Sequence, residues 1–185
     1  VWLTWPGNPE TWPRHRKQVK HDHAFLISVC TRFQSVDLIC PSLWQEECRQ
    51  TLQAAKADLS QLTFHDWPVN DAWTRDHGPV FVKGPQGNEV VDLPFNGWGG
   101  KFSPWEEDDA VARRVSDLRK LPYHRFPMFG EGGGLESNGE GTLLVTESVW
   151  MNPNRNPGFS KKEIEDAFRI YFGAREIIWI SPGMS

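Results

Sequence analysis

The sequence contains no long apolar run. Its longest apolar stretches, such as residues 24–30, are short and flanked by polar residues, whereas a helix needs about 20 consecutive apolar residues to cross a bilayer. The sequence therefore predicts neither a membrane-spanning segment nor a membrane partner.

Cysteine is scarce, and Cys30, Cys40 and Cys48 are the three that occur. An odd number without a CxxC spacing is typical neither of a disulfide framework nor of a zinc site. The histidines add no metal site, because His21 and His23 stand two residues apart in a predicted helix and point in different directions. We therefore expect a reducing compartment, the cytoplasm, and neither a metal nor another cofactor.

A basic excess is also absent. The chain has 20 Lys and Arg against 24 Asp and Glu, which gives a net charge of −4 and a pI near 5.9. Nucleic-acid-binding proteins usually carry a basic surface, so a nucleic-acid partner is not expected. The one basic cluster, residues 14–17 with Lys20, is interpreted as the solvated start of a helix.

Tryptophan, by contrast, is abundant, with ten residues among 185. So many large aromatic side chains indicate a folded domain and argue against disorder. The length suits one ordinary domain or a piece of a larger one. Because Val1 already opens a predicted strand and the sequence stops just after another, we expect a chain that is truncated at both ends.

Helices and strands alternate along the sequence. Apolar residues spaced by three or four predict helices at 14–33, 42–57, 106–120 and 160–172. The first helix is expected to turn an apolar face that contains Val19, Leu26, Cys30 and Phe33 toward the core. Ser42 and Ser160, each followed three residues later by Gln or Glu, predict capping boxes.

Short apolar runs between these helices predict strands. They lie at 1–5, 36–40, 62–65, 79–83, 89–95, 123–129, 142–146 and 176–180. The interleaving of strands and helices implies an α/β fold. The order strand, strand, helix, strand recurs without a matching repeat in the sequence, so any internal repeat is architectural.

The loop at 70–79 carries an unusual set of side chains between two predicted strands. It holds Asp71, Trp73 and Asp76 together with an Arg and a His. Loops on a rigid scaffold often carry function. A surface ion pair with a core tryptophan explains the same residues, and the residues alone leave both readings open.

Two further loops are rich in glycine. The loop at 95–102 places three glycines around Trp98, and the loop at 130–139 sets Glu131 between glycines. Glycine lets the backbone approach a ligand closely, but the first loop lacks the GxxxxGK[ST] spacing of a phosphate-binding loop. A tight turn plugged by Trp98 and a turn residue at Glu131 are the structural alternatives.

Together these loops suit a planar cation. Carboxylates on separate loops can accept the fixed fork of donors that a guanidinium presents, and tryptophan faces add cation–π attraction. A metal ion is the less favoured ligand for the same acids.

Six short motifs are spread along the sequence. They are TWP with NPETWP at 4–13, NDAWTRDHGP at 70–79, FNGWGGK at 95–101, EGG at 131–133, GEGT at 139–142 and NPNRNP at 152–157. In kind and order these motifs resemble those of the agmatine deiminase family of guanidino-group-modifying enzymes, which includes bacterial peptidylarginine deiminases, and they cover essentially the whole chain.

The resemblance implies a pentein-type α/β propeller of repeated ββαβ units, of which this chain would be about half, the N-terminal portion of a single catalytic domain. It also implies roles for particular residues. Asp76 matches the acid that grips the guanidinium, and Glu131 matches the second acid beside it. Trp73 and Trp98 lie in motifs that wall the substrate site, and Asp71 is a weaker candidate for substrate binding.

The chemistry implied by the resemblance is hydrolytic deimination through a Cys-thiouronium intermediate. The expected substrate is agmatine, converted to N-carbamoylputrescine and ammonia, as in putrescine biosynthesis. The family's His and nucleophilic Cys have no match in these 185 residues, so the chain alone is expected to be inactive. Asn138 stands where the family commonly has Asp, which is a small change in a turn.

The sequence leaves three questions open: the substrate, whether the chain is part of an enzyme, and the oligomeric state. The substrate is either agmatine, another small guanidine or peptidyl-arginine, and the chain is either part of an enzyme or a noncatalytic guanidine- or amine-binding fragment. A homo-oligomer is also left open. The implied partner in every case is a guanidino or amine compound.

Overall fold

The computed structural model describes residues 1–181. The chain forms two compact units, one from Val1 to Thr74 and one from Arg75 onward. Each unit has its own buried cluster of apolar side chains. Within the described residues, none of the helices has the length and apolar character that crossing a membrane requires.

The first unit is a three-stranded parallel sheet with two helices. The strands have the spatial order β1, β2, β3. In chain order the elements are β1 (Trp2–Thr4), α1 (Arg16–Cys30), β2 (Val36–Ile39), α2 (Ser42–Ala54) and β3 (Leu62–His65), with a 3-10 turn before β3. Every residue of the central strand β2 is buried, as expected for a parallel strand covered on both faces.

The buried face of α1 differs from the predicted one. The helix buries Lys20, Ala24, Ile27 and Ser28, whereas the predicted core residue Phe33 is 81% exposed. The small side chains of Ala24 and Ser28 allow close packing on that face. The buried ammonium of Lys20 lies 2.5 Å from a carboxylate oxygen of Glu47 in α2, and this pairing offsets the cost of burying its charge.

The capping box predicted at Ser42 does not form. Pro41 is the N-cap residue of α2 and makes no side-chain cap. Asp66, which lies just after β3, accepts hydrogen bonds from both the backbone N–H and the hydroxyl of Ser42. Gln45 instead donates to the backbone oxygen of Cys40. A distant carboxylate thus takes over the role that the local pattern assigned to Gln45.

The second unit contains two three-stranded sheets and the remaining helices. Along the chain, a single helical turn, α3 (Thr74–His77), spans the boundary between the units. The later elements are β4 (Val80–Gly84), β5 (Gly87–Asp92), α4 (Gly97–Gly100), α5 (Glu106–Asp109), α6 (Val111–Arg119), β6 (Tyr123–Arg125), β7 (Leu135–Ser137), β8 (Thr142–Thr146), α7 (Glu147–Trp150), α8 (Lys161–Phe172) and β9 (Glu176–Ile180).

The two sheets of this unit repeat one topology. In the first sheet β4 and β5 form an antiparallel hairpin, and β6 returns parallel to β5 after helical turns. In the second sheet β7 and β8 are antiparallel, and β9 returns parallel to β8 after α8. Each sheet is therefore a ββαβ unit, as the order of elements predicts. The all-parallel sheet of the first unit departs from this pattern.

Most element boundaries in the second unit agree with the sequence pattern. The strand predicted at 142–146 and the capping box of α8 are both present as expected. The strand predicted at 123–129 is shorter, ending at Arg125, and β7 was not predicted. β7 has three residues, of which Leu135 alone is buried, so the sequence offers no alternating pattern long enough to identify it.

Aromatic packing in the core of the second unit fixes the glycine-rich loop at 130–134. Trp150 is fully buried against Phe126 and Phe168. Its indole N–H donates to the backbone oxygen of Gly134 at 2.9 Å. A Cβ added to Gly130 would lie 2.3 Å from the Trp150 ring, so the loop rests directly on the indole.

Candidate active site

Asp76 is held by donors from two separate loops. Its carboxylate accepts a hydrogen bond from the backbone N–H of Gly133 and another from the indole of Trp98. Burial raises the pKa of this carboxyl, and the hydrogen bonds and the nearby Arg75 and Arg155 guanidinium groups oppose that effect. The short helix α3 brings the side chain to this position, directly before β4.

The glycine-rich loop lies in close contact with α3. A Cβ at Gly132 would stand 2.3 Å from the backbone oxygen of Arg75, and a Cβ at Gly133 would stand 2.6 Å from Oδ1 of Asp76. Real Cβ atoms do not approach other heavy atoms so closely. Gly132 is therefore required by the approach of two backbones and Gly133 by the approach of the Asp76 carboxylate, and the loop brings Glu131 close to Asp76.

Glu131 is the more deeply buried of the two acids, with 3% of its surface exposed. Its Oε1 accepts a hydrogen bond of 2.8 Å from Nε of Arg155, whose side chain is also buried. Burial raises the pKa of Glu131, and the negative charge of Asp76 raises it further. Arg155 acts in the opposite direction. The two carboxylates are thus close enough to affect each other's charge.

Trp98 takes its position from an unusual turn. Its φ is 59°, in the left-handed region that few residues other than glycine adopt. The side chain of Asn96 caps this turn by accepting from the N–H of Gly99, and it donates to the backbone oxygen of Asn154. The turn therefore places the indole beside Asp76 while it remains attached to the loop that carries Arg155.

Arg155 is the residue of this site that sequence reasoning did not identify. It belongs to the 152–157 motif, but an arginine in a polar loop gives no sign of burial. The side-chain amide of the neighbouring Asn156 fixes the loop, because it accepts from the backbone N–H of Phe129 and donates to the backbone oxygens of Phe129 and Trp150. The sequence offered one signal for such a pair: Arg155 stands between two asparagines, and the same chain has the lone carboxylate of Glu131 among glycines.

Asp71 and Trp73 lie in the first unit and have local partners there. Asp71 accepts hydrogen bonds from the hydroxyl of Thr11, from the N–H of Ala72 and from the indole of Trp73. The Trp73 ring is 41% exposed and lies 5.5 Å, between centroids, from that of Trp12. Their assignment to substrate binding stays a prediction, and the structure brings Asp76, Glu131 and Trp98 together independently of them.

The site can bind a cation with several donors. The buried carboxylate of Glu131, the half-buried carboxylate of Asp76 and an indole line the site, and the charges of the two acids exceed that of the buried Arg155 guanidinium. Among residues 1–181, no group of three or more His, Cys, Asp or Glu side chains is placed to hold a metal ion. An organic cation with a planar array of N–H groups fits these acceptors.

The cysteines all lie in the first unit, at the end of α1, after β2 and within α2. Cys40 and Cys48 are buried, and Cys30 is half-buried. A hydrogen bond with Cys40, together with burial, raises the pKa of the Cys48 thiol well above its usual range. Because the thiolate is the nucleophilic form, Cys48 has the properties of an inert core residue.

Comparison with known proteins agrees with the motifs. The family model of the Porphyromonas-type peptidyl-arginine deiminases matches residues 1–185. Agmatine deiminase of Pseudomonas aeruginosa (strain LESB58) is 35% identical over 190 residues, and agmatine deiminase of Pseudomonas fluorescens is 33% identical over 190 residues. Each comparison covers 100% of this chain and 50% of the relative.

Solved structures show the same fold. Agmatine deiminase of Enterococcus faecalis superposes with a TM-score of 0.86 at 29% identity, over 96% of this chain and 49% of that one. A cysteine-to-serine variant of the C. jejuni agmatine deiminase, with substrate bound, gives 0.85 at 27% identity, over 99% and 53%. The chain thus spans about half the length of its relatives, and its mixed α/β fold matches half of a pentein structure, as the sequence predicts.

Proposed function

Because the chain belongs to the Porphyromonas-type peptidyl-arginine deiminase family, we propose that the protein hydrolyses a guanidino group, with agmatine as its first substrate. The products are N-carbamoylputrescine and ammonia. The observation that carries the proposal is the proximity of Asp76 and Glu131, a half-buried and a buried acid, with the Trp98 indole hydrogen-bonded to Asp76. The agmatine deiminases among the relatives support the choice of substrate.

The acids act by binding and orienting the guanidinium. Asp76 and Glu131 accept its N–H groups from two loops, which fixes the plane of the central carbon for attack. Their negative charges also keep the guanidinium protonated, and the protonated group is the more electrophilic form. The fixed donors from Gly133 and Trp98 hold the Asp76 carboxylate in place during this process.

The nucleophile and the group that activates water come from outside these 185 residues in this proposal. A cysteine thiolate attacks the guanidinium carbon, ammonia leaves, and water releases the ureido product from the resulting thiouronium. The buried thiols of Cys40 and Cys48 suit no such role. The 185-residue chain alone is therefore expected to release no ammonia from agmatine.

Peptidyl-arginine is the second candidate substrate, and the description of the matching family favours it. The two candidates share the guanidinium and differ in the group at the far end of the alkyl chain. Recognition of that far end is not assigned to any residue of this chain. A third candidate function, a guanidine- or amine-binding protein without turnover, is consistent with the same pair of acids.

The test is a product assay of the full-length protein with agmatine, free arginine and an arginine-containing peptide at equal concentrations. Ammonia and the ureido product are both measured. We expect turnover of agmatine to exceed that of the other two. Preferred turnover of the peptide would establish the second candidate, and tight agmatine binding without ammonia release would establish the binding protein.

A further inference from the structure

In the absence of substrate, the neighbouring carboxyls of Asp76 and Glu131 are difficult to ionise together. Burial raises the pKa of both carboxyls, and the charge of Asp76 raises the pKa of Glu131 further. Two carboxylates that share a buried site tend to retain a proton between them. A protonated acid is a poor partner for a cation. If both acids are to bind a guanidinium, a nearby positive charge is therefore needed to keep them ionised.

Arg155 is placed to supply that charge. Its guanidinium is 8% exposed and donates through Nε to Oε1 of Glu131 at 2.8 Å. It also acts on Asp76 through space. The other arginine that affects Asp76 is Arg75, whose side chain is 62% exposed and pairs with Glu136 at the surface, where water screens its charge.

The position of Arg155 is fixed by the Trp98 turn and by its own loop. A Cβ at Gly99 would stand 3.4 Å from Nη1 of Arg155, so the Trp98 turn lies against the guanidinium. Within its own loop the Arg155 backbone N–H donates to the oxygen of Asn152. A guanidinium held in this way can orient the Glu131 carboxylate as well as neutralise it.

We propose that Arg155 is a positioning residue that keeps Glu131 ionised and oriented toward the incoming guanidinium. The inference rests on the proposed deiminase function, because it assigns Arg155 to the same site. It predicts that the loss of Arg155 impairs the site most in acid, where the uncompensated carboxylates take up a proton. A purely structural role for Arg155 predicts a loss that is the same at all pH values.

The experiment compares the pH dependence of kcat/KM for agmatine in the full-length wild type, Arg155→Gln and Arg155→Lys. Arg169→Gln is the matched control, because it removes an arginine charge from surface ion pairs in α8. In Arg155→Gln we expect the acid limb to move up by about 1–2 pH units. Where both proteins are on their acid limbs, the additional loss relative to the pH-independent plateau is then about 10- to 100-fold.

Arg155→Lys separates charge from geometry. Lysine retains the positive charge but not the planar fork of donors, so its acid limb stays near that of the wild type while kcat falls. This variant also carries the test if Arg155→Gln does not fold, which thermal unfolding of each variant reveals. An acid limb shifted equally in Arg155→Lys and Arg155→Gln would overturn the charge-compensating role.

The outcomes distinguish the two proposals. An active wild type whose acid limb is unchanged in Arg155→Gln overturns the role of Arg155 and leaves the deiminase function standing. A wild type that turns over none of the guanidino compounds overturns the function, and the role of Arg155 with it. A shifted acid limb in Arg155→Gln, with Arg169→Gln unchanged, supports both.

Discussion

Gly133 stands so close to Asp76 that a Cβ on the glycine would lie 2.6 Å from Oδ1 of the carboxylate. The same glycine donates its backbone N–H to that carboxylate. A side chain at position 133 would have to displace the acid, so the glycine is a requirement of the site itself. Its φ lies outside the positive range, which means that backbone strain is not the reason for glycine here.

Replacing Gly133 with alanine should therefore damage activity more than stability. Displacement of the Asp76 carboxylate by about 1 Å is expected to lower kcat/KM for agmatine by about 100-fold. Overpacking should lower the free energy of unfolding by about 1–3 kcal/mol. Kinetics and denaturant unfolding of the full-length protein measure both quantities.

Gly134→Ala is the matched control for this loop. A Cβ there would meet the side chain of Val149 at 2.9 Å, so we expect a comparable loss of stability with less than about a tenfold loss of kcat/KM. Equal losses of kcat/KM in Gly133→Ala and Gly134→Ala would show that general disturbance of the loop, and not displacement of the Asp76 carboxylate, lowers activity.

Asp76→Asn should nearly abolish deimination in the full-length protein. The variant keeps the shape of the side chain but removes one of the two charges that bind the guanidinium. Loss of one partner from a buried charged pair costs about 2–5 kcal/mol, or about 30- to several thousand-fold in kcat/KM. Asp117→Asn, which removes the charge from an exposed pair with Arg113, is the control and should keep wild-type activity. Agmatine turnover near the wild-type level in Asp76→Asn would refute the role of Asp76.

Asp76→Asn should be more stable than the wild type at neutral pH, although it is nearly inactive. Burial raises the folded-state pKa of Asp76, so the folded protein holds this proton more tightly than the unfolded chain does. Ionisation of Asp76 therefore costs stability as the pH rises from the unfolded pKa through the folded one. Asp76→Asn removes that cost, and it should unfold at a higher temperature than the wild type at pH 7 but not at pH 3.

Asp166 supplies the contrast for this measurement. A hydrogen bond from Lys162 lowers the pKa of its carboxyl, so its ionised form favours the folded state above the unfolded pKa. Asp166→Asn should then lose a little stability at pH 7 and none at pH 3. Parallel pH curves for the two variants would contradict the assignment of a desolvated, destabilising charge to Asp76.

Trp150→Phe should lower stability by about 1–3 kcal/mol, because the oxygen of Gly134 loses a buried donor. Trp179→Phe is the matched control, since its indole N–H pairs with Glu165 in a half-buried position. There we expect about 1 kcal/mol or less. Chemical unfolding of the two variants gives the comparison, and equal costs would mean that the buried hydrogen bond adds nothing.

Local sequence patterns predicted the elements that depend on local chemistry. The capping box at Ser160 and Glu163 forms because both partners lie in one helical turn. The similar pattern at Ser42 failed because Asp66, distant in sequence, competes for the same donors. No local rule reveals a partner that is brought near by the pairing of strands.

In the candidate site, too, features set by local sequence were predicted and a feature set by tertiary contacts was not. The sequence singled out Asp76, Glu131 and Trp98 because they lie in loops of unusual composition that match family motifs, and the structure brings these three together. Arg155 was missed because its importance lies in burial beside Glu131. Burial of a charged side chain in a loop depends on which carboxylate faces it, and that is a property of the folded chain.

The two ββαβ units place their acids at equivalent positions. Asp76 stands four residues before β4, and Glu131 stands four residues before β7. The candidate site is thus pseudo-symmetric, because one position of the repeat is used twice. A guanidinium ion, with three nitrogens in a plane around one carbon, can present like edges to like positions. In the proposed function the approximate symmetry of the guanidinium matches that of the two acids, and a change in the repeat geometry would alter the positions of both acids together.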